Sequence, residues 1–141
     1  MRDVPYREAV GSLMYTALGM HPDIAFAVQT VSQFLIKPGP AHWEAVKCIF
    51  FYLKGTSELW LSYRMKNGKL TGYADADGSM AEDRHAISRD AFLIHSSAVS
   101  WSAKWQEIIA LSTTEAEYVA ITHAAKEALL LQFFLFCFVY L

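Results

Sequence analysis

Cysteine is scarce: Cys48 and Cys137 lie far apart, and neither sits in a CxxC or histidine-bearing spacing. A zinc site and a disulfide framework are therefore not indicated, and both residues read most simply as buried thiols in a reducing compartment. Charge is sparse as well. Only 18% of the 141 residues are charged, against 54% hydrophobic, which excludes a disordered chain and is greasier than most soluble domains. A formal net charge of −2 gives no general attraction to phosphate, so contact with nucleic acid has to come from a local patch or from bound cations. The opening MRDVPYREAV lacks an apolar signal region, so no secretory signal is read and the expected location is intracellular, the compartment otherwise unknown. No Gly-x-Ser-x-Gly elbow surrounds Ser112, which leaves helix capping as its role. His21, His42, His85, His95 and His123 share no ligand spacing and read as surface or packing residues.

What remains is enough chain for one domain with a real core. Val10, Leu13, Met14, Ala17 and Leu18 recur at helical spacing up to Gly19. A second stripe, Ile24, Val28, Val31 and Leu35, follows Pro22 and stops at Lys37-Pro38-Gly39. A third carries Trp43, Val46, Phe50 and Leu53 from Pro40 to Gly55. The period then shortens, since Leu59, Leu61 and Tyr63 alternate with Trp60 and Ser62. That pattern predicts a strand running to a hairpin at Asn67-Gly68, with a return strand over residues 70–76. Residues 91–95 and 98–101 read as two more strands around a Ser96-Ser97 turn. A polar loop precedes them, and a helix follows from Thr113 or Thr114 with Glu115 and Glu117 in its first turn. Helices followed by strands imply an α+β fold with a seam near residues 55–64.

Asp75 and Asp77 are two residues apart, so on a strand both leave the same face. Two such carboxylates repel unless a cation or a proton intervenes. Hard divalent cations seek oxygen donors of this kind, and a pair of ions about 4 Å apart stabilises both the attacking and the leaving oxygen of a phosphodiester. Acids at strand ends and helix starts are also ordinary turn formers and caps, so spacing alone leaves the chemistry unassigned.

Longer strings are more specific. AVGSLMYTALGMHPDIAFAV, GYADADGS and ALSTTEAEYVA together resemble the Pol polyprotein of copia-type retrotransposons, over residues 6–132. The resemblance implies that residues 1–57 are the helical connection after the reverse transcriptase and residues 58–132 a partial ribonuclease H-like domain, with 133–141 a hydrophobic tail foreign to the family. It implies Asp75 and Glu117 as catalytic, metal-holding acids, Mg2+ as cofactor and an RNA/DNA hybrid as the parent's partner. Asp75 is then expected on a strand flanked by those around Phe92 and Val99, with its carboxylate facing Glu117. Asp77 and Glu115 match acids that are not ligands.

Departures from the family pattern limit the activity expected. The polymerase palm and the later acid-bearing strand, with its DNQSA-like motif, have no counterpart here, so the sheet is expected to be incomplete and the chain inactive by itself. His21 stands where arginine is usual, Gly78 where tryptophan is common, and Ser88-Arg89-Asp90 replaces a Ser-Gly-Tyr-like strand start. An active Mg2+-dependent ribonuclease H is the alternative. Arg64, Lys66, Lys69, Arg84, Arg89 and Lys104, beside Trp101 and Trp105, are candidates for a hybrid-binding surface. The tail ALLLQFFLFCFVYL is too short for a stable membrane span at fourteen residues. It leaves a membrane-surface or interaction protein as a third reading, and an open sheet edge suggests self-association.

Overall fold

The computed structural model describes residues 4–63, 69–77 and 85–140. The chain divides into two compact units, Met1–Leu61 and Ser62–Leu141. In the first, Tyr6, Val10, Leu13 and Ala17 recur one turn apart and are buried, so helix α1 (Tyr6–Gly19) turns that stripe inward. Pro22 opens only a 3₁₀ turn, Pro22–Ile24, and α2 is the short Ala25–Ser32 that follows. The single helix expected up to Leu35 ends early. The Ser32 hydroxyl donates to the Gln29 carbonyl at 2.7 Å, offering the backbone an alternative to the next helical turn. Helix α3 (Pro40–Gly55) starts where proline is expected, with the Gly39 N–H donating to His42 Nδ1 at 2.9 Å. Val46 and Ile49 face inward on α3, while Phe50 and Cys48 are exposed. The expectation of a buried Cys48 is thereby corrected: the inward stripe of α3 passes one residue to its side.

Tyr6 ties the first unit together. It is buried, and its hydroxyl donates to the Val31 carbonyl on α2 at 2.7 Å. Burial pushes its phenol above the usual tyrosine range, so the folded state holds this proton more tightly than the unfolded chain does. The stabilisation is complete below about pH 10, where an unfolded tyrosine titrates, and is lost as pH rises through the folded value. Tyr52 shifts the same way, first through its hydrogen bond to Asp23 and then through burial and the Asp23 charge. Tyr6→Phe is expected to lower stability by about 1–2 kcal/mol at neutral pH and to flatten part of the alkaline loss. Urea unfolding followed by circular dichroism at pH 7 and above pH 10 measures both.

The second unit is a three-stranded antiparallel open sheet under a long helix. Strands β1 (Thr71–Asp77), β2 (Ile87–Ile94) and β3 (Ser97–Trp105) lie in the order β1-β2-β3. The α+β class is as expected, with four α-helices and these strands among the described residues. No strand forms over residues 59–63, where Leu59 and Trp60 are exposed; the Asn67-Gly68 hairpin lies outside the described residues. The β2–β3 turn is His95-Ser96, one residue earlier than expected, with φ of 54° and 66°. Gly72 pairs with Phe92, whose ring lies so close that a Cβ on Gly72 would stand 2.5 Å from it.

Helix α4 (Thr113–Tyr140) spans 28 residues. Its cap is Ser112, ahead of both expected threonines: Ser112 Oγ accepts from the Glu115 N–H at 3.1 Å, and the Glu115 carboxylate accepts from the Leu111 N–H at 2.7 Å. Ala116 and Ala120 are buried, small enough to let the helix sit close on the sheet. Ser100 on β3 donates to Glu127 at 2.7 Å and ties the middle of the helix down. Residues 133–140 continue the same helix without a break.

Candidate functional site

The site is decided by which face of the sheet each side chain leaves. Phe92, Gly72 and Ala74 line one open groove with Ile121, Ala124 and Ala128 of α4. Ser88, two positions along β2 from Asp90 and four from Phe92, joins α4 through Gln106, whose amide donates to Ser88 Oγ and to the Ala116 carbonyl, each at 2.9 Å. These positions therefore form the helix-covered face. Strand alternation then puts Asp75, Asp77 and Arg89 on the other face.

Asp75 stands directly opposite Arg89 in the ladder, and Asp77 lies on the diagonal, within reach of a long side chain. Arg89 Nη2 donates to Asp77 Oδ2 at 2.9 Å, and Nη1 lies 3.5 Å from Asp75 Oδ2. The two acids thus share one guanidinium. With Asp75 63% and Asp77 52% exposed, each pairing is worth about 0–1 kcal/mol; its importance is positional.

Glu117 is half-buried on α4 and opens the second turn, since Glu115 occupies the first. The arrangement with Asp75 between two strands and its carboxylate toward Glu117 is not the one found. Among the described residues β1 has a neighbour only on the β2 side, and the Asp75 carboxylate meets Arg89 on the face away from α4. Among the described residues no three His, Cys, Asp or Glu side chains gather as a metal-binding group. The described donors are thus not gathered around a common point for a divalent ion. Of the candidate basic surface, Lys69, Arg89 and Lys104 are described, while Arg64, Lys66 and Arg84 lie outside the described residues.

Gln106 was not singled out from the sequence, and only its burial reveals it. Its backbone N–H extends the ladder to the Ala86 carbonyl at 2.8 Å, and its carbonyl meets His85 Nδ1 at 3.0 Å. The side-chain oxygen is buried with no partner among the described residues. Reversing the amide would bring two carbonyl oxygens together at Ala116, so the orientation follows from the donor count.

No family model and no solved structure matches the chain. Three curated proteins locate it. It is 47% identical over 136 residues, 96% of its length, to the Retrovirus-related Pol polyprotein from transposon TNT 1-94 of Nicotiana tabacum, of which it covers 10%. It is 36% identical over 125 residues, 86% of its length, to the corresponding polyprotein from transposon RE1 of Arabidopsis thaliana, of which it covers 8%. The third, Secreted RxLR effector protein 161 of Plasmopara viticola, is 42% identical over 130 residues, which are 91% of this chain and 92% of that protein. The chain therefore spans about a tenth or less of the polyproteins and nearly all of the third relative.

Proposed function

Because the chain belongs to the copia-type retrotransposon Pol family, we propose that it is the part of such a polyprotein that joins the reverse transcriptase to the first half of a ribonuclease H-like domain. The single observation behind this reading is the match over almost the whole chain to a small share of each polyprotein. The order strand, strand, strand, helix, with Asp75 on the first strand and Glu117 near the start of the helix, supports it. On this reading Asp75 and Glu117 are the acids that hold Mg2+ in the complete domain, and the parent's substrate is RNA paired with DNA. These 141 residues carry two of the acids such chemistry needs, on opposite sides of the sheet, and hydrolyse the hybrid little or not at all.

Sequencing the DNA on either side of the coding segment tests the assignment. The expected result is a palm-like frame upstream and, downstream in the same or another frame, a DNQSA-like strand bearing the next aspartate. Unrelated sequence on both sides would contradict it. The Plasmopara viticola relative matches these residues over nearly its whole length, and no Arg-x-Leu-Arg run occurs in the 141 residues.

A second reading, a membrane-surface protein, rests on α4. Thr113–Phe138 is long and apolar enough to cross a membrane by length and composition. The bond from Ser100 to Glu127 and the burial of Ala116 and Ala120 tie its first half to the sheet. That leaves residues 129–140, about 18 Å of helix against a hydrocarbon core of about 30 Å.

A further inference from the structure

We infer that Arg89 is the resident cation of the Asp75–Asp77 face, a built-in guanidinium that keeps divalent ions off these carboxylates. The inference rests on reading Asp75 as an acid of a former metal site, and it adds a reason, present in this chain's own residues, for that site to be silent.

Three observations carry it. Arg89 is the direct ladder partner of Asp75, so its backbone position is set by strand pairing and not by a wandering loop. Its two terminal nitrogens are divided between the two acids, one toward Asp77 Oδ2 at 2.9 Å and one toward Asp75 Oδ2 at 3.5 Å. Its side chain is also less exposed, at 36%, than those of the two acids it joins, at 63% and 52%. Guanidinium is charged at every working pH and its planar fork suits carboxylate oxygens. An ion entering between Asp75 and Asp77 would have to displace that fork while meeting its positive charge at contact distance. Aligned carboxylates two residues apart on a bare strand would repel; here the repulsion is relieved from within.

Terbium is the probe, because it seeks hard oxygen donors as magnesium does and its weak luminescence is strongly sensitised by nearby aromatic rings. Tyr73 shares the face of Asp75, and Trp105 lies two strands over from Asp77 through Ile87, a separation of about 10 Å. The full 141-residue chain is titrated with Tb3+ alone, beside Arg89→Gln, Arg89→Ser and the double variant Arg89→Gln, Asp75→Asn, each checked by circular dichroism. Removing the charge is expected to strengthen Tb3+ binding at this face by about tenfold or more, with sensitised emission that Mg2+ competes away and that the double variant lacks. Equal titrations of the native chain and both single variants would overturn the inference, as would a gain that survives Asp75→Asn. Loss of fold in both single variants would also overturn it, since a half-exposed ion pair should be dispensable for folding. The readout is emission and not hydrolysis, so failure of the ribonuclease reading leaves its outcome distinguishable.

Discussion

Removing residues 133–141 is expected to turn a self-associating chain into a predominantly monomeric one. Phe133, Phe134, Phe136 and Phe138 are 62%, 48%, 61% and 81% exposed. Burying each is worth roughly 2 kcal/mol, so together they rival the cost of association, about 4–15 kcal/mol. The sheet offers a second route, because β1 has an open edge among the described residues and its unpaired backbone groups can template another strand. Asp75 and Asp77 oppose that route in one orientation, since parallel in-register pairing of two β1 strands would set each aspartate against its own copy. The tail should therefore dominate. Size-exclusion chromatography with light scattering on both chains decides this, and a native chain running as a clean monomer would refute it. Co-sedimentation with neutral lipid vesicles separates the second reading: a native chain that partitions wholly into lipid, and a shortened chain that does not, would favour a membrane surface over self-association.

In the shortened chain, Gly72→Val is expected to cost about 3 kcal/mol. In an ordinary strand this change would stabilise, because valine suits a pleated surface and glycine does not. Here the sign is reversed by Phe92, which is 3% exposed and would lie 2.5 Å from the new Cβ. Overpacking of this kind typically costs about 1–3 kcal/mol. Phe92 pairs with Gly72 and lines the groove under α4, so displacing its ring disturbs strand pairing and helix packing together. Urea unfolding followed through Trp101 and Trp105 fluorescence measures the loss. Combining Gly72→Val with Phe92→Leu should recover part of it, as expected for residues in contact. An unchanged or raised midpoint would mean that the ring has room to move.

Much of this architecture was legible in the sequence. The span of α1 and the breaker at Pro38-Gly39 follow from apolar period and proline chemistry and appear at the expected places, although of the expected stripe only Val10, Leu13 and Ala17 are buried, while Met14 and Leu18 are exposed. That Asp75 and Asp77 share a face was legible too, because strand alternation is local. Which face α4 covers was not. It depends on the ladder that sets Gly72 against Phe92 and Asp75 against Arg89, and register is not contained in any short window of sequence. Arg89 was visible as a departure but its partner was not, for the same reason. The alternation over residues 59–63 misled because strand period without a neighbouring strand makes no ladder. Ser112, read as a capping residue beside Thr113 and Thr114, is the one that caps, a choice between adjacent hydroxyls that the pattern leaves open. The apolar residues after Gln132 carry no helix breaker, and helix propensity takes α4 straight through them.

Incubating the purified 141-residue chain with Mg2+ and an end-labelled RNA/DNA hybrid tests the central claim most directly, with Asp75→Asn as the background. The account predicts RNA cleavage no faster than in that background, because Asp75 is engaged by Arg89 on one face while Glu117 lies on the helix that covers the other, and two ions cannot be held by such a pair. Robust Mg2+-dependent cleavage by the native chain that disappears in Asp75→Asn would contradict it and make the chain an active ribonuclease.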